Sequence, residues 1–291
     1  MEIIKANFAN WHIQCIPEDG ARISVLRYED QDLLTANPSS FRPPDKFYGE
    51  YETRPVYGYD DCFPSVDPCT YPDEQYECRD HGDLCWQKWQ VKEEKNRLIC
   101  FTDCLNQRGT FKRILEFTGN KLTWRFEVAN TSVKSLVFLH VMHPLMPLDQ
   151  IQSIELPEFG KILDDINLVE SELKNAFEVA NHLLAIQPGR YEMLLLNEII
   201  EGSVKLGFQK GLTLNIRFDR KLFPTLGVWW NNTGYPDEEG LRRTECAFEP
   251  IPGTCSDLSK SFSNGISLIT EPEKTFGWEI KWEMEHDKSK Y

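Results

Sequence analysis

Apolar and polar residues alternate with a period of two along much of this chain. Leu122, Trp124, Phe126 and Val128 are interleaved with Thr123, Arg125 and Glu127. The alternation returns as Leu212, Leu214, Ile216 and Phe218 against Thr213, Asn215, Arg217 and Asp219. It closes as Trp278, Ile280 and Trp282 against Glu279, Lys281 and Glu283. Successive side chains of a strand point to opposite faces, so each run predicts a strand with one buried and one wetted side. Turn signals separate such runs: Glu18-Asp19-Gly20, Gly119-Asn120, Pro188-Gly189, Gly202, Lys210-Gly211 and Asn264-Gly265. Many strands joined by hairpin-like turns predict an all-β chain built as a large antiparallel sandwich. Only residues 168–184 carry a helical pattern, and that pattern is ambiguous. No linker, charge block or repeat divides the sequence, so residues 1–291 are expected to form one domain.

Residues 37–78 break the alternation. Pro38, Pro43, Pro44, Pro55, Pro64, Pro68 and Pro72 are mixed with Tyr48, Tyr51, Tyr57, Tyr59, Tyr71 and Tyr76. Proline lacks a backbone donor and resists central strand positions, so this is expected to be a long irregular excursion. Such a loop on a β scaffold either covers a sheet edge or builds a site, and it can do both.

Composition narrows the ligand. Forty-six acidic residues against 32 basic ones give a net charge of −14, which disfavours a nucleic-acid partner. No apolar run approaches the roughly 20 residues of a membrane helix, and no charged-then-apolar leader opens the chain. Nine cysteines, an odd number, read as reduced thiols in the cytoplasm. Cys62, Cys69, Cys78 and Cys85 lack the tight pairs of structural zinc sites, so no bound metal is expected there.

Two stretches carry candidate chemistry. Residues 227–250 set Trp229 and Trp230 before a polar turn and then a short apolar run ending in Glu249-Pro250. A carboxylate there, beside tryptophans able to flank a sugar ring, is a candidate general base. Among the histidines, His81 lies in Arg79-Asp80-His81-Gly82-Asp83, where the glycine permits a turn toward a ligand. His140 and His143 end the apolar run 136–142, and an imidazole at a strand end can act as a general acid near neutral pH. Three residues apart on one strand, they project to opposite faces, so at most one enters a cleft. HExxH, GxSxG and phosphate-loop motifs are absent from the sequence, which leaves acid–base work by a carboxylate and an imidazole between aromatic walls.

These pieces, in their order, resemble the aldose 1-epimerase (galactose mutarotase-like) superfamily, near its glucose-6-phosphate 1-epimerase branch. The resemblance rests on Cys62-Phe63-Pro64, on Asp80-His81-Gly82-Asp83-Leu84 with Trp86 and Trp89, and on residues 139–146 (LHVMHPLM). It continues through Trp229-Trp230-Asn231, Ala247-Phe248-Glu249-Pro250 and Gly253-Thr254-Cys255-Ser256-Asp257-Leu258, and covers roughly residues 7–284. It implies a β-supersandwich fold, Glu249 as general base, His143 as general acid and His81 as a sugar ligand. The implied reaction is interconversion of α and β anomers by ring opening, with no cofactor, by a monomer or homodimer. Trp86 or Trp229 would stack on the pyranose, with His140 and Asn231 as further ligand candidates. Two departures stand out. An arginine beside the His-Gly pair is missing, so Arg54 or Arg79 would have to replace it, and a neutral sugar is favoured over a sugar phosphate. A ligand-binding aspartate before the Glu-bearing strand has no match, with Asn231 or Asn232 nearby. Two alternatives follow: a non-catalytic carbohydrate-binding protein on the same fold, and a metal-dependent sugar isomerase or lyase.

Overall fold

The computed structural model describes residues 2–72, 76–104, 106 and 108–286. The three strongest alternating runs all become strands, and they are neighbours. Leu212–Phe218, Thr275–His286 and Lys121–Asn130 lie side by side at the centre of an eight-stranded antiparallel sheet. Leu122, Trp124, Phe126 and Val128 are all buried, and the polar residues between them face outward. Burying one side of a period-two pattern is what fixes register here, since a one-residue slip would turn every apolar side chain outward.

Opposite this sheet lies a second layer made of two shorter sheets. One carries the strands Ile4–Phe8, Trp11–Ile16, Arg22–Tyr28, Tyr59–Cys62 and Val141–Pro144 in that order. The other runs Val169–Glu170, Lys161–Asp164, Arg190–Asn197, Thr225–Asn232 and Thr244–Ile251. Reciprocal backbone hydrogen bonds between Met146 and Cys246, at 2.7 and 3.0 Å, join the two at one edge. A single apolar cluster runs from Ala6 to Met284 and draws side chains from both layers. It includes Ile23 and Tyr59 from one short sheet, Val228 and Phe248 from the other, and Phe111 and Trp282 from the large sheet.

The helical expectation needs a correction. The helix there spans Ala176–Ala185 only, Val169–Glu170 is a short strand, and a second helix forms at Leu258–Ser263, where none was expected. Asn175 sets the boundary: its side chain accepts a hydrogen bond from the Glu178 amide at 2.9 Å, capping the helix start. The proline-rich excursion is irregular as expected, with only a 3₁₀ turn at Tyr51–Thr53 and short strands at Tyr59–Cys62, Cys69–Thr70 and Glu77–Cys78; residues 73–75 lie outside the described part. All nine cysteines are free thiols. Among the described residues no helix is long and apolar enough to cross a membrane.

Candidate active site

The edge where the two short sheets meet holds a cleft of about 320 Å³, within the size range of small-molecule sites. Strand parity decides which side chains enter it. On Thr244–Ile251, Cys246 and Phe248 join the core, so Glu245 and Glu249 point the other way and line the cleft. On Thr225–Asn232, Val228 and Trp230 go to the core, while Trp229 faces the cleft. Gly227 sits directly opposite Glu249 in the ladder, and a Cβ there would stand 3.0 Å from Ile251, 3.1 Å from Met193 and 3.4 Å from Glu249. A side chain there would crowd Ile251 and Met193 and only touch the carboxylate.

His143 lies on Val141–Pro144, in register with Asp60 on Tyr59–Cys62. Its Nε2 stands 3.9 Å from the Glu249 carboxylate, and its Nδ1 lies 3.4 Å from the Tyr51 hydroxyl, which donates to Asp60. His81 arrives from the other side. Its φ of 60° and the 72° of Gly82 place both residues in the left-handed region, and a Cβ at Gly82 would strike the Phe63 carbonyl oxygen. The His81 amide donates to the Val66 carbonyl at 2.7 Å, and Asp83 donates to Phe63 at 2.7 Å, which holds this turn. Tyr51 stacks on the His81 ring with centroids 3.9 Å apart, and the His81 and His143 rings are 5.0 Å apart.

Charge divides the two histidines. Burial works against the His81 imidazolium, yet Asp80, hydrogen-bonded to Nδ1 at 2.7 Å, outweighs it with help from Glu249 and Glu52 and raises the pKa. Burial also disfavours a charge on His143, and there the positive His81, Arg22, Arg243 and Arg54 act in the same direction, so its pKa falls well below the ordinary value. Burial lifts Glu249 to about 7, with His81 opposing the rise and Asp165 adding to it. The ring expected to act as the acid is therefore the one whose charged form is disfavoured, and its neighbour is the one whose charged form is favoured.

Several expected ligands lie elsewhere. His140 is fully buried, donates from Nε2 to Asp61 at 3.0 Å, and is packed among Phe111, Phe126 and Trp278. It belongs to the interior of the sandwich. Asn231 is also buried: its side-chain oxygen accepts the Gly234 and Tyr235 amides, both at 3.0 Å, and so holds a turn. Trp86 is wedged between the guanidinium groups of Arg54 and Arg79, at 5.2 and 4.3 Å from its ring. Arg79 pairs with Glu50, and Arg54 pairs with Asp19 and lines a neighbouring cavity of about 600 Å³. None of these five side chains lines the cleft.

The arginine that does line it is Arg243. It donates to both Glu52 oxygens at 2.8 Å and to Glu245 at 2.9 Å. Carboxylates come from Asp67 and Asp165 as well, and from Glu245, the cross-strand partner of Asn231. Burial first, then Asp165, pushes Asp67 up to about 6. Tyr191, Trp229 and Tyr235 form one aromatic wall, with ring centroids 5.3–5.7 Å apart, and the Trp229 indole donates to Glu245 at 3.3 Å. Cys62 lies beneath, and its sulfur and one ring nitrogen of each of His81 and His143 lie within 4.8 Å of one another. The other three clustered cysteines take no part in that group.

No family model matches the sequence, and no curated protein matches it. Solved structures do. A protein from Synechocystis sp. PCC 6803 superposes with a TM-score of 0.74 at 15% identity, over 98% of this chain and 96% of its own. A provisionally assigned aldose 1-epimerase from Escherichia coli K12 gives 0.72 at 15% identity, over 98% and 99%. A galactose mutarotase-like protein from Clostridium acetobutylicum gives 0.69 at 14% identity, over 98% and 95%. Likeness of this extent at such low identity establishes the architecture: the chain has the galactose mutarotase-like β-sandwich fold.

Proposed function

We propose that the cleft binds a neutral pyranose and interconverts its α and β anomers by acid–base ring opening. The observation that carries this is a buried carboxylate, with a pKa near 7, facing two imidazoles of opposite electrostatic character across one cleft. A general base works best when its pKa lies near the operating pH. Ionised Glu249 takes the proton of the anomeric hydroxyl, and an imidazolium of the His81–His143 pair gives a proton to the ring oxygen. The C1–O5 bond breaks and an open-chain aldehyde forms. Rotation about C1–C2 and the reverse transfers close the other anomer and restore both groups. His81 is the resting proton carrier in this scheme, and neutral His143 orients the ring oxygen or relays the proton.

Charge supports a neutral substrate. Glu52, Asp67, Asp165, Glu245 and Glu249 line the cleft, and its one arginine is already paired with two of them. A phosphoryl group would meet acidic neighbours and find no free guanidinium. The wall of Tyr191, Trp229 and Tyr235 offers apolar faces for the C–H side of a pyranose.

Polarimetry or NMR saturation exchange on pure anomers of a neutral-sugar panel tests the proposal. Wild type is expected to exceed the buffer rate, and Glu249→Gln to lose about 10²–10⁴ of the enhancement, the usual contribution of a positioned acid or base. If neither protein exceeds buffer on any sugar, the proposal fails. Saturable sugar binding without turnover would mark a carbohydrate-binding protein.

A further inference from the structure

The cleft contains a donor set that anomer interconversion does not use. The Cys62 sulfur and the His81 and His143 nitrogens converge within 4.8 Å. Each ring has its second nitrogen engaged: His81 Nδ1 donates to Asp80, and His143 Nδ1 faces Tyr51, itself bonded to Asp60. A carboxylate behind an imidazole is how metal-ligating histidines are commonly oriented. His143 Nε2 points toward Glu249, which stands 3.9 Å away and supplies a fourth donor.

We propose that Cys62, His81, His143 and Glu249 form a tetrahedral site for a borderline-soft divalent cation of the zinc class. One sulfur, two imidazole nitrogens and a carboxylate are the donors zinc selects, whereas magnesium and calcium require oxygen ligands. With metal–nitrogen bonds of 2.0–2.1 Å and a metal–sulfur bond near 2.3 Å, tetrahedral ligands stand about 3.4–3.6 Å apart. Cys62, His81 and His143 must therefore draw together by up to about 1.4 Å, and Glu249, which stands outside their 4.8 Å group, must turn in toward them through its side-chain torsions. Charge closes as well: a divalent ion balances one thiolate and one carboxylate, both on buried side chains. The thiol proton, the second proton of a charged His81 ring and any proton on Glu249 leave to solvent on binding. The ion takes the same nitrogens and carboxylate that the proposed anomer chemistry needs, so metal and sugar turnover exclude each other; that clause alone rests on the function proposed above.

The test is to strip the full chain with chelator and titrate it with Co²⁺ as the probe. One equivalent is expected to bind, giving tetrahedral visible bands and a thiolate-to-cobalt charge-transfer band in the near ultraviolet. Cys62→Ala is expected to lose the charge-transfer band while keeping the wild-type circular dichroism spectrum. X-ray absorption on zinc-loaded wild type gives a second measurement free of any folding defect, with one sulfur and three nitrogen or oxygen neighbours expected. No cobalt band in wild type, a band that survives Cys62→Ala, or a sulfur-rich zinc shell would each overturn the site. Zinc is expected to suppress mutarotation in wild type and not in Cys62→Ala; equal suppression in both overturns the exclusion. If the stripped protein turns over no sugar, the functional proposal falls, and the spectra still decide the metal site.

Discussion

Asp60 and Asp61 are adjacent on one strand, yet they serve regions with opposite demands. Asp61 points into the sandwich, where it pairs with Arg113 and accepts from His140 at 3.0 Å, and all three side chains are fully buried. Asp60 points the other way, to Arg22 at 2.9 Å and to Tyr51, the residue that contacts both cleft histidines. His143, on the neighbouring strand, and His140, just before it, repeat the division. The interior cluster is closed: burial alone would raise the Asp61 pKa, but Arg113, His140 and Tyr59 hold it below the ordinary value. The cleft is not closed in this way. Glu249 has no arginine partner, and burial dominates its titration. A carboxylate paired with a guanidinium makes a scaffold, and one without such a partner makes a reagent.

Asp61→Ala tests the scaffold side and has the largest expected effect. It leaves the Arg113 guanidinium buried and unpaired, which costs about 3–5 kcal/mol of stability by chemical denaturation. The double variant Asp61→Ala/Arg113→Met is expected to recover most of that loss, because the cost lies in the orphaned charge more than in the pair itself. A single-variant cost below about 1 kcal/mol would show that the interior charge is not needed as described.

Glu249→Gln tests the opposite behaviour, and its stability effect has the reverse sign. Folding raises this carboxyl from 4.5 to about 7, so between those values the folded chain holds a proton that the unfolded chain has lost. Stability therefore falls with rising pH across this window, and the penalty is complete above about pH 7. Removing the charge is expected to stabilise the protein by about 3 kcal/mol at pH 8 and by nearly nothing at pH 4.5. Denaturant titrations at the two pH values measure this directly. A loss of stability at pH 8 would mean that the carboxylate has a partner in the fold and is not the free reagent described.

The sheets were legible in the sequence because one-sided burial writes a period of two, and 122–128, 212–218 and 278–283 carry it without interruption. Parity also separated His140 from His143 in principle: three residues apart on an extended chain, only one can face a given side. Which one faced the cleft depended on partners in other segments. Tyr51 reads as one aromatic among many in a proline-rich stretch, and its contact with both histidines exists only once residues 51, 81 and 143 are brought together. Arg243 reads as a loop charge in Leu241-Arg242-Arg243 until Glu52, 191 residues earlier, clamps it into the cleft. Asn231 stood near the place of the unmatched ligand-binding aspartate, but a hydrogen-bonded turn at Gly234 and Tyr235 takes its side chain. Local pattern sets the face of a strand; the partners on that face are set by tertiary contacts.

The smallest effect bears on which histidine carries the proton. Asp80 holds the charged form of His81, whereas burial and the charge on His81 itself suppress it on His143. Turnover that needs ionised Glu249 and a protonated His81 should rise with a limb near pH 7 and fall with an alkaline limb set by His81. In His143→Gln the alkaline limb is expected to stay where it is in wild type, because the proton carrier is intact. In His81→Gln the neighbouring positive charge is gone, so His143 gains affinity for a proton, but burial still holds it low. The alkaline limb of that variant should therefore move to lower pH, and at a pH above both limbs it should be about tenfold slower than His143→Gln for each unit of displacement. Ring-proton NMR titrations of the two variants follow the same protonations without any sugar present. An alkaline limb that disappears in His143→Gln and persists unmoved in His81→Gln would give the proton to His143 and reverse the electrostatic order assigned to the pair.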